Sequence, residues 1–295
     1  MKINAFRLHG LCLLALILFF MFTGLGTAYS AGLKVSPGAF CLQNAEIGKD
    51  LDLGIDMVIT NKDDEEKVFV VKTLKPSEVT DKWIKGYSEI PDVSWFYFNE
   101  NEIKIGPNSE GKLRMHLKVP DEEKYYNQHW LVYAEVTTKA GKEEMFKTAV
   151  KPSYMIETKA NPDVKGKPYG ILGLVPGAVK AEKVIPGKTK KVSFRIYNND
   201  QTAHTYEFIS YIPEASSAKQ DISVTAGYEW INKDRWVMPS ARKLKLNPGQ
   251  MKNITLNILI PKGSECSDVG WESTVLVKPD KGLEGFVRVL IEPLE

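Results

Sequence analysis

The sequence predicts an all-β protein built from two antiparallel sandwiches in tandem, and three observations predict it. Apolar residues alternate with polar ones at a period of two in run after run, and no stretch carries a long 3.6-residue apolar period. Gly/Pro turns separate these runs into about seven short strands per half, with no helical crossover between them. Landmarks also recur. Pro120 follows Pro107 by 13 positions and Pro261 follows Pro248 by 13; Trp130 and Trp271 follow by 10, and Pro152 and Pro293 by 22 more. All four pairs share an offset of 141, which predicts a duplicated unit of about 125 residues.

In chain order, residues 1–30 read as a signal peptide. Lys2 and Arg7 precede an apolar run from Leu11 to Phe22, and Ala28-Tyr29-Ser30 offers a small-residue cleavage site ahead of Ala31. The run falls short of the ~20 residues a membrane span needs. No later run approaches that length, so the expectation is an extracytoplasmic protein (secreted, periplasmic or surface-associated) with no transmembrane anchor beyond the signal segment. Cys12 lies at the start of the apolar run instead of after it, which argues against lipid attachment. Without Lys2 and Arg7, a chain of 39 basic and 37 acidic residues becomes charge-balanced. Nothing in that balance suits a nucleic-acid partner.

The first sandwich is expected over residues 31–156. Leu33 to Phe40 is an edge-like strand broken at Pro37-Gly38; Leu51, Leu53, Ile55, Met57 and Ile59 form an alternating strand that ends in the polar turn Thr60 to Lys67. Ile103 to Pro120 reads as a hairpin around Pro107-Asn108, with Asn108 taking a positive φ. Glu157 to Gly170 has two prolines, two glycines and no alternation, so it reads as a linker and as the first site of proteolysis. The second sandwich, residues 171–295, repeats the scheme. Gly173 to Val179 returns the Pro-Gly break at Pro176, and Leu244 to Pro261 is the second hairpin, with Pro248-Gly249 at its turn. Immunoglobulin-like topology follows from this strand count and spacing.

Candidate chemistry is sparse. His116, His129 and His204 lack a neighbouring nucleophile motif and read as surface residues. The acidic turn Asp63 to Glu66 lacks the spacing of a calcium loop and reads as a solvated tip. No catalytic, cofactor or metal residue is nominated, and no enzyme activity is expected. Cys41 and Cys266 read as separate thiols in different sandwiches. Trp130 and Trp271, at matching positions, read as core. Trp83, Tyr87, Tyr125, Tyr126 and Trp230 are the candidate exposed aromatics, with packing against the sandwiches as the commoner alternative. The strands carrying Phe146, Thr148 and Val150 and carrying Val287, Val289 and Ile291 are expected at sheet edges, where a partner's strand could add.

A strand ending in a polar Asn turn, followed by IKIGPNSEGKLRMHLKVP or LKLNPGQMKNITLNILIP, resembles the immunoglobulin-like modules of the PapD-like, major sperm protein and NEW3 type. The likeness spans nearly the whole chain after the leader and is similar to the tandem modules of WxL-interacting surface proteins. That resemblance implies a non-catalytic secreted or envelope protein contacting a protein or cell-wall polymer. The alternative it implies is a periplasmic pilus or fimbrial-type assembly chaperone acting by strand donation. WxL-interacting proteins end in a membrane anchor, and because Glu295 follows directly on the last expected strand, retention by such an anchor is not expected here.

Overall fold

The computed structural model describes residues 32–80, 83–139, 149–213, 222–264 and 269–294, and the backbone of 28–30. The first half forms β1 (Ala28–Ser30), β2 (Leu33–Ser36), β3 (Ala39–Ala45), β4 (Asp50–Asn61), β5 (Lys67–Leu74), β6 (Ser88–Glu89), β7 (Phe96–Phe98), β8 (Glu102–Ile105), β9 (Ser109–Lys118), β10 (His129–Thr138), β11 (Ala149–Val150) and β12 (Ser153–Thr158). The second half forms β13 (Leu172–Val175), β14 (Ala178–Val184), β15 (Lys190–Asn198), β16 (His204–Tyr211), β17 (Tyr228–Trp230), β18 (Val237–Pro239), β19 (Lys243–Leu246), β20 (Met251–Ile258), β21 (Gly270–Pro279) and β22 (Gly285–Pro293). Each half is a sandwich. Its front sheets run β1-β2-β4-β9-β7 and β13-β15-β20-β18; its back sheets run β3-β12-β10-β5-β8 and β14-β22-β21-β16-β19.

The alternation in the sequence decides which side chains meet between the sheets. Leu113, Met115 and Leu117 point into the first core with Met57, Ile59, Trp130, Tyr154 and Ile156; Ile254, Leu256 and Ile258 point into the second with Phe194, Ile196, Trp271 and Val289. Arg114, His116 and Lys118 take the outward side of β9, as their period requires. Within each sandwich the first strand changes sheet at the Ser36-Pro37 and Val175-Pro176 bonds, both cis, so β2 and β13 serve the front sheets and β3 and β14 the back.

Matching polar fixtures occupy both halves. Asn61, buried at the end of β4, donates Nδ2 to the carbonyls of Glu65, Ile105 and Gly106. Asn198, buried at the end of β15, donates to those of Thr202 and Leu246. One amide thereby ties two turns together, which explains why an Asn closes each strand. Gly48 and Gly187 both hold positive φ, 74° and 82°, and donate their N–H to Val119 and Ile260.

Three sequence expectations are corrected. The Ile103–Pro120 and Leu244–Pro261 stretches are arches and not hairpins: β8 and β19 pair with β5 and β16 in the back sheets, whereas β9 and β20 pair with β4 and β15 in the front sheets. Period two fixes which face of a strand is apolar and leaves its partner open. The turn chemistry was correctly read, with Asn108 at φ 49° and Gly249 at φ 70°. The second correction concerns Pro152 and Pro293. By register, Ser153 opposite Ala39 corresponds to Arg288 opposite Ala178, so Pro152 precedes its strand while Pro293 ends the other. Their common spacing is fortuitous.

The third concerns the expected linker, 157–170. Glu157 and Thr158 belong to β12 and are buried. The remainder is a bonded strap: Arg195 donates to the Pro162 and Val164 carbonyls, Asn199 to those of Pro168 and Gly170, and Glu123 accepts from the Lys165 and Gly166 amides. Val164, 1 % exposed, packs between Val175, Tyr197 and Tyr126.

Candidate functional site

Two features bear on function: the junction between the sandwiches and the β11 edge at Ala149–Val150. The outer faces of the back sheets meet at the junction, where Tyr87, Leu131 and Met155 bury themselves against Ile222, Leu276 and Phe286. In the middle of this apolar contact lies an ionic group. Arg288, 3 % exposed on β22, donates Nε and Nη2 to the two Glu157 oxygens, each at 2.6 Å, and Nη1 to Glu272 and to the Ser223 carbonyl. Tyr87 donates its hydroxyl to Glu157 at 2.6 Å, and the free thiol of Cys41 reaches the same oxygen at 3.3 Å. Gln43 donates to the Ser223 carbonyl, and the Thr225 amide to Glu272.

The electrostatics follow from burial and pairing. Burial works to raise the Glu157 carboxyl, but the Arg288 guanidinium overrides it and holds Glu157 down at about 2. Burial dominates at Glu272 and pushes it upward against the same guanidinium. Burial also raises the Cys41 thiol and the Tyr87 phenol. A thiol pushed up beside a carboxylate is not an activated nucleophile. His129 stacks on Phe286 with ring centroids 3.9 Å apart, and desolvation lowers it to about 4. Together these groups fasten one sandwich to the other. Asn127 adds a polar clasp at the rim: its Oδ1 accepts from the amides of Asn161 and of Gly177 in the second sandwich, while Nδ2 donates to Asn161.

The β11 edge comes from the sheet change. β3 begins at Ala39 and pairs with the last strand of its sheet only from Ser153 onward. Upstream, β11 pairs with β10, Val136 opposite Val150 and Thr137 opposite Ala149; among the described residues no second strand is hydrogen-bonded to it, while β1 and β2 of the front sheet lie against it. Ala149 is exposed there and Val150 points into the core. In the second sandwich the register of Val277 opposite Gly285 makes Gly285 the counterpart of Val150. Gly285 and Phe286 are buried, Phe286 lies against Tyr87 and His129, and a side chain at Gly285 would strike Leu172 and Leu174.

Several expected site residues therefore stand elsewhere. Val287, Val289 and Ile291 are not at an edge: β22 runs between β14 and β21, and all three are fully buried. Phe146 and Thr148 lie outside the described residues, as does Cys266. Among the candidate exposed aromatics, Tyr87 and Tyr125 are buried, and Trp83, Tyr126 and Trp230 are half-buried. Tyr125 completes a core cluster with Trp95 and Trp130, and Trp230 packs at the junction. Of the histidines expected at the surface, His129 sits in the junction and His204 is buried between Asp200 and Asp280, whose hydrogen bonds raise it. The junction cluster was missed. Its sequence signal was an Arg in an otherwise apolar strand, Phe286 to Ile291.

No protein-family description matches the chain, and neither does any curated protein. Solved structures do. The chain is similar to a protein of unknown function from Porphyromonas gingivalis W83, at 12% identity over 88% of this chain and 99% of that one, with a TM-score of 0.33. It is also similar to the class 5 fimbriae chaperone CfaA, at 12% identity, 89% and 100% coverage and a TM-score of 0.32. The periplasmic chaperone SfaE matches at 11% identity, 88% and 99% coverage and a TM-score of 0.30. Likeness at this level transfers no function. Among the described residues no helix is long and apolar enough to cross a membrane.

Proposed function

We propose that this chain is a non-catalytic, extracytoplasmic binding protein that captures a protein partner by strand addition, in the manner of an assembly chaperone. The observation that carries this reading is the β11 edge at Ala149–Val150, which among the described residues has no second hydrogen-bonded strand and leaves Ala149 exposed. An edge of this kind offers backbone donors and acceptors to an incoming strand. The wall-polymer reading loses support for a physical reason. Sugar recognition uses exposed aromatic platforms, and the five candidate aromatics are buried or half-buried.

The test is capture from the native envelope with the chain as bait. Stoichiometric recovery of one protein, released only by denaturation and lost with Ala149→Asp, supports strand addition. Capture unaffected by Ala149→Asp, or cosedimentation with purified wall polymer alone, would overturn it. Val150→Asp and Val289→Asp are unsuitable probes because both valines are core residues.

A further inference from the structure

We infer that the loop end of the second sandwich formed by residues 185–191, 233–238 and 259–262 is a docking tip for an anionic lipid bilayer. These segments are tied side by side. The Gly187 amide donates to the Ile260 carbonyl at 2.7 Å, the Leu259 amide donates to the Trp236 carbonyl at 2.9 Å, and Lys190 and Val237 flank Ile258 in the ladder. Lys188, Lys191, Lys233, Arg235 and Lys262 are exposed on this end, with Lys190 half-buried among them. Among the described residues no salt bridge involves any of the six. Within these three segments the six basic residues face one acid, Asp234. Ile185, Leu259 and Met238 belong to the same three segments, with exposures of 37%, 40% and 47%.

The first sandwich supplies an internal control, because it has the same tip with the opposite chemistry. There Gly48 donates to Val119, as Gly187 does to Ile260. A side-chain carbon at Gly48 would meet Asp121, as one at Gly187 would meet Lys262. At corresponding positions Glu46 stands for Ile185, Asp92 for Lys233, Lys118 for Leu259 and Asp121 for Lys262. Moreover, every large hydrophobic exposed among the described residues lies at Tyr169 or beyond. The fold therefore requires neither the cations nor the apolar residues at this end. Both were placed there on a template that works without them. Exposed lysines attract a negatively charged membrane surface, and apolar side chains among them enter the headgroup boundary. A soluble polyanion would use the cations and leave Ile185 and Leu259 without a role.

The test is vesicle cosedimentation with residues 28–295, which keep every strand of both sandwiches. Phosphatidylcholine vesicles with and without phosphatidylglycerol, and soluble polyphosphate, are the probes. The expected result is binding to the anionic vesicles alone, weakened by salt. Lys188→Glu/Lys262→Glu should weaken it by roughly tenfold or more. Ile185→Ser/Leu259→Ser should weaken vesicle binding severalfold and leave polyphosphate unaffected. Lys49→Glu/Lys112→Glu makes the same net-charge change on the first sandwich and should stay within about twofold. Equal loss in that control, no effect of the apolar pair, or binding to polyphosphate without vesicle binding would each overturn the inference.

Discussion

Arg288 shows how much one residue can hold. Its guanidinium satisfies carboxylates from both sandwiches in a site closed to water, so removing it leaves Glu157 and Glu272 buried without a counter-charge. Arg288→Ala is expected to cost about 3–5 kcal/mol in urea unfolding. Replacing Arg288, Glu157 and Glu272 together by apolar residues of similar volume should recover most of that loss; an unrecovered loss would show that the group does more than cancel its own charges. His129 sets a pH dependence with a defined sign. Its folded value of about 4 lies below the ordinary 6.5, so the unfolded chain binds the extra proton between those values. The stabilisation is complete above about pH 6.5 and is lost as pH falls through 4. Full desolvation would put it near 3 kcal/mol; the half-buried ring reduces this to about 1–2 kcal/mol. Subtracting the stability profile of His129→Phe from that of the wild type isolates it, and a flat difference would contradict the assignment.

At the scale of elements, the turns and arches rest on a few buried polar side chains. Asn61→Ala and Asn198→Ala each strip a buried amide from two turns, and each is expected to cost about 1–3 kcal/mol in denaturant unfolding. Much of this was legible. The positive φ at Asn108 and Gly249 and the breaks at Pro37 and Pro176 all followed from local backbone chemistry. Strand partners did not, because alternation is a property of one strand and pairing a property of two. The edge assignment of Val287, Val289 and Ile291 failed for that reason, since only the register of β14 on β22 shows them enclosed. The strap at 157–170 looked like a linker because its bonds go to Arg195, Asn199, Glu123 and Asn127, all distant in sequence or on the neighbouring sandwich.

At the scale of the molecule, strap and junction together make the two sandwiches one body. Limited proteolysis of the wild type should therefore spare residues 157–170, and Arg288→Ala should make that stretch the first to be cut. Early cleavage there in the wild type would mean the junction is open in solution. The same packing distributes the functional surfaces. It buries the start of β22 under His129 and Tyr87, leaves Ala149 on β11 exposed, and leaves the basic tip of the second sandwich in water. By itself the sequence determined the all-β class, the two-sandwich plan, the turn conformations and the apolar face of each alternating strand, because these depend on alternation and on φ preferences read over a few positions. Tertiary structure alone decided which strands pair, which edge stays open and that Glu157 meets Arg288, because each of these is a contact between segments whose separation along the chain carries no local signal.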